Sequence, residues 1–169
     1  MNVIFDEDGL KKSIQNLTNK LINSISENSV FIGIDLEGHF LAKRIAENLL
    51  NATHKKIKVG LLDVNLFRPL STNTYMDIGQ SNIPFSTKNK DIILISPFII
   101  TGQSIQAALV ALNDHDIPNT IKCACLLSNS NLTRPIYVDY IAEPEIDAQK
   151  GFKVNFFEST GEDSIVKAL

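Results

Sequence analysis

Cysteine is scarce in this chain: its 169 residues contain two, Cys123 and Cys125. They stand two apart in a strand-like run, where Cα atoms roughly 6.5–7 Å apart sit poorly for a disulfide. A metal site wants more thiol or imidazole ligands close by, so buried, reduced thiols are expected and no metal centre. A basic surplus is missing too. Sixteen Lys and Arg against nineteen Asp and Glu leave a net charge of −3, whereas a free-standing nucleic-acid binder usually carries a positive excess. Long apolar runs are absent: none approaches the roughly 20 residues that cross a bilayer. The opening segment, 1–8, is acidic and has no apolar stretch, unlike a secretory signal. A cytoplasmic location without membrane attachment is therefore expected. No internal repeat and no low-complexity tract interrupts the chain.

What is present suits a folded α/β protein. Hydrophobic residues make up 44% and charged residues 21%, enough for a sizeable core in one domain spanning 1–169. Residues 8–26 carry Leu10, Ile14, Leu17, Leu21, Ile22 and Ile25 at helical spacing, with Asp6 and Asp8 placed to favour the helix dipole. Strands are expected at 30–34, 57–67, 91–95, 120–127, 136–141 and 152–157, and helices at 38–50, 103–112 and 161–169. In the second helix Phe40, Leu41, Ile45 and Leu49 should face inward. Residues 68–87 are rich in turn formers, including Pro69, Gly79 and Pro84. So long a connection without periodicity is expected to be a flexible loop or hood. The alternation implies a mainly parallel sheet with helices on both faces. Ligands of such sheets bind at the carboxyl ends of the strands.

The most telling stretch is 91–104. A buried strand leads to Ser96-Pro97, and then Thr101-Gly102-Gln103-Ser104 opens a helix. A helix N-terminus offers unpaired amides and a positive dipole end, which suits a phosphate. Gly102 lets the backbone approach closely, and Thr101 and Ser104 add hydroxyls. Taken alone, the same four residues also describe an ordinary helix cap.

In context the likeness is broader. The stretch 30–50, the run Val59 to Arg68, Asn82-Ile83-Pro84, the stretch 91–112, Ile4-Phe5-Asp6-Glu7 and Asp139-Tyr140-Ile141 together resemble the type I phosphoribosyltransferases. Among these they resemble the PyrR family, pyrimidine-operon attenuation regulators that also act as uracil phosphoribosyltransferases. The resemblance implies that fold, with a dimer or larger homo-oligomer. It also implies three ligand elements: an aspartate pair for the ribose hydroxyls, a Thr-Gly-Arg-Thr loop for the 5′-phosphate, and a Lys-Thr-Arg-Gly loop for the diphosphate. Mg²⁺ is implied only together with bound phosphoribosyl diphosphate.

This chain departs from that pattern. The aspartate pair falls on Ser96 and Pro97. The basic diphosphate loop falls on Asp35-Leu36-Glu37-Gly38. One charge pair near 4 Å is worth roughly 4 kcal/mol at an effective dielectric of about 20, so changing attraction to repulsion works strongly against a diphosphate. The 5′-phosphate loop keeps Thr101, Gly102 and Ser104 and has Gln103 in place of arginine. Two altered ligand loops imply lost catalysis with a surviving phosphate site for a UMP-like molecule. Arg68, Arg134, Asp35 and Glu37 are candidates for ligand or interface contacts. The family's RNA-facing positions fall on Gln15, Asn16 and Asn19 and on the loop 128–135, which keeps only Arg134 as a cation. Three readings result: a non-catalytic regulatory or phosphate-binding protein linked to pyrimidine metabolism, an active uracil phosphoribosyltransferase, and an RNA-binding attenuator. The first is preferred, and RNA is the less favoured partner. Phe40, Leu66 and Phe67 suggest a homodimer interface, and a mixed oligomer with a PyrR-like paralogue fits the same resemblance.

Overall fold

Asp6 begins the ordered framework by capping a helix: its carboxylate accepts from the Gly9 amide at 2.9 Å, satisfying one of the orphan donors of the first turn. The computed structural model describes residues 2–67 and 79–167. Strand β1 (Asn2–Phe5) precedes helix α1 (Glu7–Leu21). Leu10, Ile14, Leu17 and Leu21 of α1 are buried at the expected spacing. The helix ends at Leu21, earlier than the apolar pattern suggests, because Asn23 and Ser24 favour a turn; the Ser24 amide closes it on the Leu21 carbonyl.

A five-stranded sheet forms the centre, in the order β3 (Lys58–Leu62), β2 (Ser29–Ile34), β4 (Asp91–Ile99), β5 (Thr120–Ser128), β6 (Tyr140–Ile141). All its pairings are parallel. A parallel sheet is covered on both faces, so its strands read as continuous apolar runs; every residue of β2 is buried. Helices α1 and α2 (Asp35–Thr53) cover one face, where Leu41, Ile45 and Leu49 meet Phe31 and Ile93. Helix α3 (Gln103–Ala111) covers the other, with Ile105 and Ala108 against Ile32, Leu94 and Cys125.

Helix α2 follows β2 without a loop, and two glycines make this feasible. A Cβ at Gly33 would lie 2.3 Å from the His39 backbone, and one at Gly38 would lie 2.5 Å from the Ile95 carbonyl oxygen. Asp35 makes the turn in the left-handed region, φ 56°.

A second sheet is antiparallel, in the order β1-β8-β7, with β7 (Phe152–Asn155) and β8 (Ser164–Lys167) joined through the short helix α4 (Phe157–Thr160). The helix expected over 161–169 does not form across 161–167. Ser164 to Lys167 is a strand paired with β1 on one side and β7 on the other. Gly161 at φ 77° has already ended α4. The strand expected over 57–67 stops at Leu62, because the Asp63 carboxylate takes the Asn65 amide and starts a 3₁₀ turn over Asn65–Phe67. The strand expected over 136–141 shrinks to Tyr140–Ile141, and that over 152–157 ends at Asn155. Most of the expected loop 68–87, Arg68 included, lies outside the described residues. Within the remainder, Asn82 pairs with Leu61 along the outer edge of β3.

Candidate functional site

The turn between β4 and α3 is built around Gly102. Its φ of 86° is in the left-handed region, and a Cβ there would meet Arg134 Cβ and Ile136 Cγ1 at 3.1 Å. Gly102 is the N-cap of α3 and offers no side-chain cap. The Thr101 hydroxyl accepts from the Gln103 amide at 3.3 Å. From behind, the Arg134 amide and the Thr133 hydroxyl both donate to the Thr101 carbonyl oxygen, at 3.1 and 3.2 Å. Thr101, Gly102, Gln103 and Ser104 therefore lie together on one rigid turn. They line a cleft of about 440 Å³ with Phe98, Ile100 and Lys150. Arg134 is brought to the turn, but it packs against the back of Gly102 and is not among the cleft's lining residues. Its Nε is buried and has no hydrogen-bond partner among the described residues.

Ser96 and Pro97 are placed differently from a loop. Strand β4 runs through them to Ile99, and both are buried. Ser96 pairs with Cys125 and Phe98 with Leu127; Pro97, between them, has no amide to give. The Ser96 hydroxyl donates to the Phe98 carbonyl at 3.0 Å, an internal bond. Asp35, Glu37, Ser96, Pro97 and Lys153 line a second cleft of about 270 Å³, which shares Phe98, Ile100 and Ser104 with the first. The segment 35–38, expected as a loop, is the first turn of α2, because Gly33 and Gly38 let the helix start against the sheet. The Asp35 carboxylate accepts from the Val64 amide at 3.2 Å. Among the described residues no group of three or more His, Cys, Asp or Glu gathers to hold a metal. A Mg²⁺ ion carried in on a diphosphate would meet Asp35 and Glu37 as oxygen donors.

Lys150 and Lys153 went unrecognised in the sequence. Lys150 precedes Gly151, whose φ of 92° completes a tight turn closed by the Phe152 amide on the Gln149 carbonyl at 3.1 Å. A Lys-Gly pair ahead of a strand signals such a turn, but not which cleft it borders. The carboxylates held below their ordinary values stand elsewhere. Asp91, at the start of β4, is lowered by hydrogen bonds from Asn119 and Thr120. Glu158 and Asp163 are lowered by hydrogen bonds from Arg44. On α1, Gln15 bonds to Asn19 at 2.9 Å, Asn16 to Glu143 at 2.8 Å, and Lys20 to the Ile141 carbonyl at 2.6 Å. His39 Nδ1 lies 3.3 Å from the Gly60 carbonyl oxygen.

The chain is similar to known proteins in sequence and in fold. The phosphoribosyl transferase domain model matches residues 3–156. A bifunctional protein PyrR of Pelotomaculum thermopropionicum is 30% identical over 168 residues, covering 96% of this chain and 93% of that protein. The bifunctional protein PyrR of Clostridium botulinum strain Eklund 17B is 31% identical over 170 residues, covering 97% and 94%. Among solved structures, the HGPRT-ase of Leishmania tarentolae in complex with GMP superimposes with a TM-score of 0.70 at 16% identity, covering 98% of this chain and 95% of that one. A hypoxanthine phosphoribosyltransferase of Staphylococcus aureus gives 0.65 at 17%, covering 98% and 91%. At such identities these two structures speak for the fold alone. With the domain match and the extent of the PyrR similarity together, the chain belongs to the PyrR family of phosphoribosyl transferase domain proteins.

Proposed function

We propose that this family member has given up phosphoribosyl transfer and keeps the phosphate turn as a binding site for a UMP-like monophosphate, in a regulatory role. The observation that carries the reading is the course of β4 through Ser96 and Pro97. Where the resemblance implies an aspartate pair for the ribose hydroxyls, β4 carries Ser96 and Pro97, and the one hydroxyl is spent on the Phe98 carbonyl. The acidic first turn of α2 supports the same conclusion. Transfer from phosphoribosyl diphosphate depends on holding the leaving diphosphate and stabilising its charge, and Asp35 and Glu37 oppose that charge. The Thr101–Ser104 turn retains its glycine, its hydroxyls and the N-terminus of a nine-residue helix, which suits one phosphate.

The test is turnover. Purified protein with uracil, phosphoribosyl diphosphate and Mg²⁺ should form no UMP. A rate within the ordinary enzyme range of about 1–10³ per second would refute the reading. The double change Ser96→Asp with Pro97→Asp should not restore activity, because the first turn of α2 stays acidic.

A further inference from the structure

We propose that Lys150 is the cation that serves the Thr101–Ser104 turn. We propose also that Asp35 and Glu37 make the same trough select a ribose bearing a single phosphate over one bearing a diphosphate as well. The inference rests on the phosphate-turn reading above and names the ligand class and its selecting residues.

The two clefts are one trough, since Phe98, Ile100 and Ser104 line both. Its ends differ in sign. At the phosphate end Gln103 stands where the family motif has arginine, and among the described residues Lys150 is the one charged residue in the lining. Arg134 meets Gly102 through its β-carbon from behind. Lys150 is exposed at the apex of the Gln149–Phe152 turn and has no hydrogen bond or ion pair among the described residues. An ammonium so placed is a mobile point charge able to close on a phosphate. At the other end two carboxylates, Asp35 and Glu37, face one ammonium, Lys153. Counted over the described lining residues, that end is net negative. A ribose hydroxyl can donate to a carboxylate there, whereas a second phosphoryl group would be repelled.

Calorimetric titration in low salt with EDTA separates the claims, using ribose 5-phosphate and phosphoribosyl diphosphate as probes. The wild-type protein should bind ribose 5-phosphate more tightly than phosphoribosyl diphosphate. Lys150→Ala should weaken ribose 5-phosphate binding about tenfold, the scale of one charge-assisted contact, and Lys150→Arg should restore most of it. Glu37→Lys should tighten phosphoribosyl diphosphate and reverse the preference between the two probes. Ser104→Glu, a charge placed in the turn itself, should abolish both. If Ser104→Glu abolishes binding while Lys150→Ala leaves it unchanged, the role of Lys150 is overturned and the phosphate turn stands. Tighter wild-type binding of phosphoribosyl diphosphate overturns the selectivity. No binding of either probe by the wild type at millimolar concentration overturns the phosphate-turn reading, and this inference with it.

Discussion

Cys123 and Cys125 project from β5 into the core beneath α3, both buried and both free. Burial pushes the Cys123 thiol up to about 12, with the charge of Asp139 adding to the effect. The Cys125 thiol is raised as well, by burial first and then by its neighbour Cys123. A thiol is a nucleophile only as its thiolate, so neither should act as one near neutrality. A disulfide-exchange reagent at pH 8 should leave the native protein unlabelled over minutes and titrate two thiols in denaturant. Rapid native labelling of either would show that β5 is less well covered than its packing implies. The same scale exposes what could be read directly from residue types. Thr101, Gly102 and Ser104 are recognisable because a glycine needing positive φ and flanking hydroxyls leave a local mark. Asp35 and Glu37 stand out in the sequence as acidic residues of an expected loop, whereas the structure places them in the first turn of α2. Their helical state depends on Gly33 and Gly38 letting α2 approach β2 and β4, a contact that no local pattern encodes.

Between elements, one side chain ties the smaller sheet to the larger. Arg44 of α2 reaches Glu158 at 2.5 Å and Asp163 at 2.8 Å, on either side of the turn between α4 and β8. Its guanidinium also lies 4.9 Å from the centre of the Phe156 ring. The pairs are partly exposed, so solvent screening reduces their worth. With the ring contact included, Arg44→Ala should cost roughly 1–2 kcal/mol. The sign with pH follows from the hydrogen bonds Arg44 donates, which hold Glu158 and Asp163 below their ordinary values of 4.5 and 3.8. Carboxylates depressed in the folded state stabilise it above those values and lose that contribution as pH falls through the folded ones. Urea midpoints should therefore differ between wild type and Arg44→Ala at pH 7, and the gap should narrow toward pH 3. An unchanged gap would assign the loss to packing instead. Element types were legible where a period existed, as in the α1 stripe and the branched runs of β2 and β4. Strand β8 was not, since four residues carry no period and their state is set by β1 and β7. The run through Ile95 was recognised, yet its extension to Ile99 depends on pairing with β5 beyond Pro97.

At the scale of the molecule, the apolar surface bears on assembly. Leu66 is 65% exposed and Phe67 38%. Phe40, expected beside them at an interface, is half-buried and packs edge-on against Phe156 within the chain, ring centres 6.2 Å apart. Leu66 and Phe67 therefore carry the expectation of a homodimer, with a buried area of about 1,200–2,000 Å². Light scattering at micromolar concentration should give twice 18.7 kDa, and Leu66→Lys should reduce it to the monomer. A wild-type monomer over a wide concentration range would contradict this. One further consequence lies in the pairing of β1 with β8, Asn2 opposite Lys167. Contacts so far apart in the chain are slow to close. During synthesis β2, β3, β4 and β5 can emerge and associate while β1 has no partner. Strand β7, which positions Lys153, gains its one strand neighbour among the described residues when β8 leaves the ribosome. The trough thus acquires the wall that carries Lys153 only once β8 has emerged, and a nascent chain should have no ligand-holding form until residues 164–167 are free to pair.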